Sequence, residues 1–429
     1  DLKDPTEKES IIENNWKVSV IADAISQIRI EDKQDGSGLI ITDSTITADD
    51  TLSLYAIGRD KYDNFVNSVE GNWSVTNEIG TVNPTNASSQ TIFYASKVGA
   101  GTIKLVYQSF TDQTGIINVK LGVLNRLQIR NGTNGGGTEV GDISLTTDQT
   151  LLMYAAGYDS DDNYIGDIAV DWTSSGTLDQ ITGDQSSFSF APTTAPTSGE
   201  ITITKSGVTT DKTGTISVNV GALDNITIVN ALGNSGIAID SLTLTTDSDY
   251  IFYLAGYDQD KNFIRNINSK WSIQGEIGTL STGDSYSTST VLTATTIGSG
   301  IIQADTASFT DQTGIINIKL GNLNYIKIRN GTNGGGSEVA NLNLSTDESI
   351  LLFAAGYDED SNFISNVDVS WKSTGTLDPI NVNADTIEFS PNVAPSSGKI
   401  YVEKQNIIGD STGIITVLPG ELNFVRIED

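Results

Sequence analysis

The 429-residue chain has no cysteine, no histidine, one methionine and eight prolines. Without cysteine there are no disulfides, metal thiolates or thiol nucleophiles. Each folding unit must then be held by its own apolar core, which takes about 100 residues per unit rather than about 40. Without histidine the chain lacks the usual neutral-pH general base and the commonest transition-metal ligand, so carboxylates are its main acid–base groups and most enzyme classes fit poorly. Cations are scarce as well. The 24 Lys+Arg stand against 54 Asp+Glu, a formal charge of −30, the opposite of the basic footprint that a nucleic acid or an anionic membrane demands. No run of about 18 apolar residues is present, so no helical membrane insertion is expected. The opening Asp-Leu-Lys-Asp-Pro carries no apolar signal segment, and the expectation is that any export signal has been removed or lies upstream.

What the chain does have is glycine (42 residues) and abundant Thr, Ser, Asn and Asp, with 37% hydrophobic and 18% charged residues. This β-branched, turn-rich composition favours strands over long helices. Internal repeats settle the organisation. Trp73, Trp172, Trp271 and Trp371 are spaced 99, 99 and 100 residues apart, and Gly58, Gly157, Gly256 and Gly356 keep the same intervals. Loops of free length would not hold such a beat, so each copy is read as one domain. A second period overlies the first. RNGTNGGGTEV (130–140) returns as RNGTNGGGSEV (329–339), and FTDQTGIINVKLG (110–122) as FTDQTGIINIKLG (309–321). The sequence repeat is therefore a two-domain unit of about 199 residues, the mark of a duplicated domain pair.

Within a copy the strand signals are short and evenly spaced, with period-two alternation in TISVNV (215–220), INVKLG (117–122) and ITITK (201–205). One face of each such strand is buried and the other wet. Seven strands in about 100 residues predict an all-β fold of four tandem immunoglobulin-like β-sandwich domains in an elongated rod. The boundaries read as a tail at 1–22 carrying a strand like the last strand of a preceding repeat, domains at 23–122, 123–221, 222–321 and 322–420, and a strand at 421–429 like the start of a further repeat. Residues 1–14 are polar and aperiodic.

The run MYAAGYDSDDNYIGDIAVDWTSSGTL (153–178) resembles the central signature of bacterial immunoglobulin-like domains of the intimin and invasin type, and stretches at 55–82, 253–280 and 353–377 match it too. That resemblance implies an Ala-x-Asp-x-x-Gly-Asn-x-Val hairpin, a strand ending in Trp-Ser, and a place in extracellular stalks or surface proteins. The chain departs from the pattern at the hairpin glycine, which is here Asp63, Asp162, Lys261 or Ser361. The fold class is unaffected and the turn type is left open.

The links KLGVLNRLQI (120–129), NVGALDNITI (219–228) and KLGNLNYIKI (319–328) hold no flexible spacer, which predicts restricted angles between neighbours. The terminal strands are read either as pieces of a longer repetitive protein or as strands that dock on an adjacent subunit, giving self-association by strand addition.

The acidic hairpins are the candidate site: Asp60, Tyr62 and Asn64; Asp159, Asp161 and Asn163; Asp258, Asp260 and Asn262; Asp358, Asp360 and Asn362. An Asp-x-Asp-x-Asn spacing can set alternate oxygens around a calcium ion, with copy one weakest because of Tyr62. Calcium loops also add a glycine and a later bidentate carboxylate, neither of which has a fixed place here, and Asp and Asn are default hairpin residues, so the turn reading outweighs the calcium reading. The repeated tryptophans are read as core residues rather than sugar platforms, and the glycine-rich loops at 131 and 330 as hairpin turns rather than phosphate cradles. Six Asn-x-Ser/Thr sequons, at Asn72, Asn86, Asn131, Asn225, Asn330 and Asn343, are glycan acceptors only in a glycosylating host. Because every named Asp position recurs between copies, the acids are expected to build architecture, not an active site. The expected function is a non-enzymatic extracellular or cell-surface spacer or assembly subunit of a stalk, filament, sheath or surface layer. The alternative is an adhesin whose array holds a glycan- or ligand-binding end away from the surface.

Overall fold

In the computed structural model, residues 21–423, 425 and 426 are described. Of the strand expected in the tail 1–22, residues 1–20 lie outside them and 21–22 are not in a strand; of the strand expected at 421–429, residues 424 and 427–429 lie outside them and 421–423, 425 and 426 are not in a strand. Among the described residues the protein is all-β, with 44 strands and one short 3-10 turn at Gly233–Ser235. The chain divides between Asn219 and Val220 into two units, each with two immunoglobulin-like sandwiches.

Copy two, in the first unit, shows the plan. In one sheet Arg126–Arg130 pairs antiparallel with Leu151–Tyr158, which also pairs with Ser187–Phe190 and Tyr164–Asp167. Facing it, Val170–Ser174 pairs with Ile201–Thr204. Ile143–Thr146 runs parallel to the last strand, Ile216–Asn219. The alternation seen in the sequence is the reason two layers form. Leu127 and Ile129 point inward from the first strand, Ile201 and Ile203 from the opposite layer, and both pairs are buried. Between the layers lies Trp172, 1% exposed, whose Nε1–H donates to the Gln185 carbonyl at 2.8 Å. Its ring fills the core while its one polar atom is satisfied, and losing so large a side chain typically costs about 3–5 kcal/mol.

Each copy repeats this with its own core. Trp73 packs with Ile30, Leu54 and Phe93, Trp172 with Met153 and Phe190, Trp271 with Phe252 and Leu292, and Trp371 with Leu352 and Phe389. Trp172 and Trp271 belong to separate cores.

A D-x-T-G segment near the end of every copy fastens the layers. Asp112, Asp211, Asp311 and Asp410 accept the backbone N–H of Ile30, Ile129, Ile228 and Ile328 at 2.6–2.7 Å. Two residues on, the hydroxyls of Thr114, Thr213, Thr313 and Thr412 accept the N–H of Ile103, Ile201, Ile302 and Ile400 at 3.0 Å. These are main-chain donors that the ladders leave over, and burying them unpaired would cost about 1–3 kcal/mol each.

The two-domain period is also visible. In copies one and three a short strand, Gly80–Asn83 or Gly278–Leu280, pairs with Gln90–Ala95 or Ser289–Ala294. In copies two and four a carboxylate replaces that strand: Asp179 accepts the N–H groups of Thr193 and Thr194, and Asp378 those of Asn392 and Val393.

Candidate functional site

The acidic hairpins follow the long second strand of each copy, where the chain turns back at the end of the sandwich. The turn needs a left-handed residue, and it falls where the related bacterial pattern has glycine: Asp63, Asp162, Lys261 and Ser361 have φ of 70°, 67°, 68° and 71°. Left-handed backbone costs a residue with a Cβ about 1–2 kcal/mol. The tight turn holds it in place, with each of these N–H groups donating to the carbonyl of Asp60, Asp159, Asp258 or Asp358.

The first aspartate of each hairpin is inside the protein. Asp60 is 1% exposed, and Asp159, Asp258 and Asp358 are 0% exposed. Such a carboxylate survives burial only if its oxygens are occupied by donors. Oδ1 of Asp159 accepts from the N–H groups of Asp161 (3.1 Å) and Asn163 (2.8 Å), and both oxygens accept from Asn163 Nδ2 (3.1 and 2.9 Å). Asp60, Asp258 and Asp358 each accept likewise from the backbone and amide N–H groups of Asn64, Asn262 and Asn362. Hydrogen bonds from Asn64 hold the Asp60 carboxyl down at about 2, well below its ordinary 3.8. At Asp159 and Asp358 burial pushes upward, but the donors around them outweigh it, led by the Asn163 amide at Asp159 and the Thr246 hydroxyl at Asp358, and leave both below the usual carboxylate range.

The remaining bonds reach the link from the preceding copy. Asp159 Oδ2 accepts the Gly122 N–H at 3.0 Å and Asp358 Oδ2 the Gly321 N–H at 3.4 Å, while Gly221 donates to Asp258 and Asp23 to Asp60. Within the first unit Asp49 of copy one reaches the other way. Its Oδ2 accepts the Val123 N–H at 2.7 Å and its Oδ1 the Ser160 hydroxyl at 2.9 Å. Asn163 completes the contact, donating to the Ser96 carbonyl at 3.0 Å and accepting the Val98 N–H at 3.3 Å. Within the second unit Asp247 accepts the N–H and side-chain amide of Asn322 (2.7 and 2.9 Å), the Thr246 hydroxyl donates to Asp358 at 2.6 Å, and Asn362 donates to the Thr295 carbonyl at 3.0 Å. Glycine is required in these links because the aspartate lies on it: a Cβ on Gly122 or Gly321 would stand 2.5 or 2.2 Å from a carboxylate oxygen of Asp49 or Asp247.

The residues read from the sequence as one set thus divide into two. Asp159, Asp258 and Asp358 are brought against Asn163, Asn262 and Asn362, but it is the amide N–H, not the amide oxygen, that faces each carboxylate. Asp161, Asp260 and Asp360 are exposed. Asp161 takes the Ser160 hydroxyl at 3.2 Å, and burial and neighbouring acids push the Asp360 carboxyl up. In copy one Tyr62 is exposed and its backbone N–H donates to Asp60. Among the described residues no group of three or more His, Cys, Asp or Glu is placed to hold a metal ion. The sequence reading passed over Asp49 and Asp247, the other half of each junction, and the D-x-T-G aspartates. The signal for both was there: the D-x-T-G segment begins at 112, 211, 311 and 410, and a turn aspartate stands at 49, 148, 247 and 347.

No protein-family model matches the chain, and neither does any curated protein sequence. Among solved structures the chain is similar to domains 1–6 of the surface layer protein SbsC, at 11% identity and a TM-score of 0.23, over 95% of this chain and 54% of that one. It is also similar to the Escherichia coli adhesin FdeC (12% identity, TM-score 0.29, 70% of this chain and 100% of that one). A third likeness is to the four N-terminal Ig domains of Dscam1 isoform 4.44 (9% identity, TM-score 0.21, 88% and 97%). The chain spans about half the length of the SbsC structure. Superpositions this loose carry no argument, and the assignment of immunoglobulin-like sandwiches rests on the strand pairing above.

Proposed function

We propose that this chain is a non-enzymatic spacer or assembly subunit outside the cell, part of a stalk, filament, sheath or surface layer of the bacterial immunoglobulin-like kind. The observation that carries this reading is the junction: Asp159 and Asp49 grip consecutive N–H groups of one link, at Gly122 and Val123, from opposite sides. A link held this way has no free rotation, and a fixed angle between neighbours is what a load-bearing spacer needs. The buried first aspartate of each hairpin supports the same reading, because its oxygens are taken up by donors that hold the chain together. Self-association through the terminal segments belongs to this proposal.

The test is the orientation of copy two relative to copy one in the full chain, by residual dipolar couplings. A single orientation is expected, broadening to a distribution in Gly122→Ala, whose Cβ displaces Asp49; free reorientation in the unaltered chain would defeat the proposal. Immunogold labelling of intact source cells should decorate the outer surface.

A further inference from the structure

Copies two, three and four carry a tyrosine at the end of the long second strand. Tyr158, Tyr257 and Tyr357 lie opposite Arg126, Asn225 and Tyr325 of the first strand. In copy two the Arg126 guanidinium covers the Tyr158 ring, 4.3 Å from its centroid, and pairs with Asp162 at 2.8 Å. In copy four the Tyr325 ring stacks on Tyr357 at 5.4 Å with 14° between planes, and its hydroxyl bonds to Ser361 at 2.8 Å. Asn225 has neither a ring nor a guanidinium to lay over Tyr257. Beside it the groove is filled in copy two by Gln128 bonded to Glu139 and in copy four by Lys327 bonded to Glu338. Copy three has Thr227 and Ala238 at these places, and Val229 where the other two have Arg130 and Arg329.

Every large group that closes the groove in copies two and four is therefore cut back in copy three; in copy one the same groove is open but lined by charge, Arg29, Glu31, Arg59 and Asp63, with no tyrosine at its base. What is left is a recess of about 340 Å³ lined by Tyr257, Asn225, Thr227, Val229, Ala238 and Lys261. That volume is in the range of small-ligand sites, about 300–1,000 Å³. Lys261 occupies the left-handed hairpin position that is Asp162 or Ser361 in the neighbours, and among the described residues no acid pairs with it.

We propose that this recess binds an acidic sugar, a pyranose bearing a carboxylate. The apolar face of the ring covers Tyr257 as the guanidinium and the phenol do in copies two and four. The carboxylate meets Lys261, a charge-assisted contact that stands out in a chain of net charge −30. The Asn225 amide and the Thr227 hydroxyl supply donors and acceptors for ring hydroxyls, which an aromatic carboxylate would leave unpaired. The inference is independent of the spacer role, and either stands if the other fails.

The test is a titration of the full chain with D-galacturonate by isothermal calorimetry and by NMR of the tyrosine rings, with D-galactose and benzoate as controls. Saturable galacturonate binding that shifts Tyr257 is expected. Galactose and benzoate should bind about tenfold more weakly or less, and Lys261→Ser, which installs the copy-four residue, should weaken galacturonate by about tenfold. Asn225→Tyr, which restores the copy-four cover, should abolish binding. If that variant fails to fold, Thr227→Gln with Ala238→Glu closes the groove in the copy-two manner and is expected to do the same. No saturation by galacturonate, equal binding of either control, or undiminished binding by a folded, closed variant would overturn the proposal.

Discussion

The junction within the first unit and the junction within the second share a main-chain frame and differ in the side chains that complete it. In both, a turn aspartate takes the N–H after the link glycine at 2.7 Å and a hairpin aspartate takes the N–H of the glycine itself. In the first, Ala48 has no hydroxyl to offer and Ser160 bonds to Asp49 instead. In the second, Thr246 replaces that alanine and bonds to Asp358, while Asn322 adds its amide to Asp247. The part that repeats uses backbone donors, which every residue possesses. The part that varies uses hydroxyls and amides, for which more than one arrangement satisfies the same oxygens.

The frame is where a break should be largest. Asp159→Ala and Asp358→Ala each strip the acceptor from several partly buried N–H groups, and each should lower the stability of its pair by about 3 kcal/mol in urea unfolding. Equal losses at the two sites would show that the backbone frame dominates, and a much smaller loss at Asp159 would show that the side chains do. Exchanging the finishing groups should move stability by about 1 kcal/mol in opposite directions, downward for Thr246→Ala and upward for Ala48→Thr, which offers Asp159 the hydroxyl that Asp358 already has. A reading of zero for both would mean that the hydroxyl does no more than water would.

Acid should separate the hairpins from the D-x-T-G fasteners. The Asp60, Asp159 and Asp358 carboxyls are depressed in the folded state, so their contribution is present above the unfolded value of about 3.8 and fades as pH falls through the folded values, near 2 for Asp60. Burial pushes Asp112, Asp211 and Asp311 the other way, so their contribution is full below about 3.8 and declines as pH rises through their raised folded values. Carboxyl NMR titration between pH 2 and 6 should show the midpoints of Asp60, Asp159 and Asp358 below the ordinary 3.8, and those of Asp112, Asp211 and Asp311 above it.

Much of this was legible in the sequence, and the limits have physical causes. The tryptophan interval shows because a sandwich core fixes the chain length between its strands. The hairpins show as turns because Asp and Asn are turn residues wherever they occur. The left-handed residue did not show, since only glycine advertises positive φ and the chain places Asp63, Asp162, Lys261 and Ser361 there. The junction partners were hidden for another reason. Asp49 and Val123 are 74 residues apart and in different copies, and no local period connects them. The uncovered Tyr257 emerges only when the copies are compared, because Asn225 is unremarkable until it is set beside Arg126 and Tyr325.

In every copy an early strand runs parallel to the last one: Ser44–Thr47 beside Ile117–Lys120, Ile143–Thr146 beside Ile216–Asn219, Ser241–Thr245 beside Ile315–Lys319, and Leu342–Ser345 beside Ile415–Leu418. Tension entering at one end of such a domain and leaving at the other drags these two strands past each other lengthwise. All the rungs between them then strain together instead of opening one after another like a zip, so a domain with modest equilibrium stability gives way slowly under a pull.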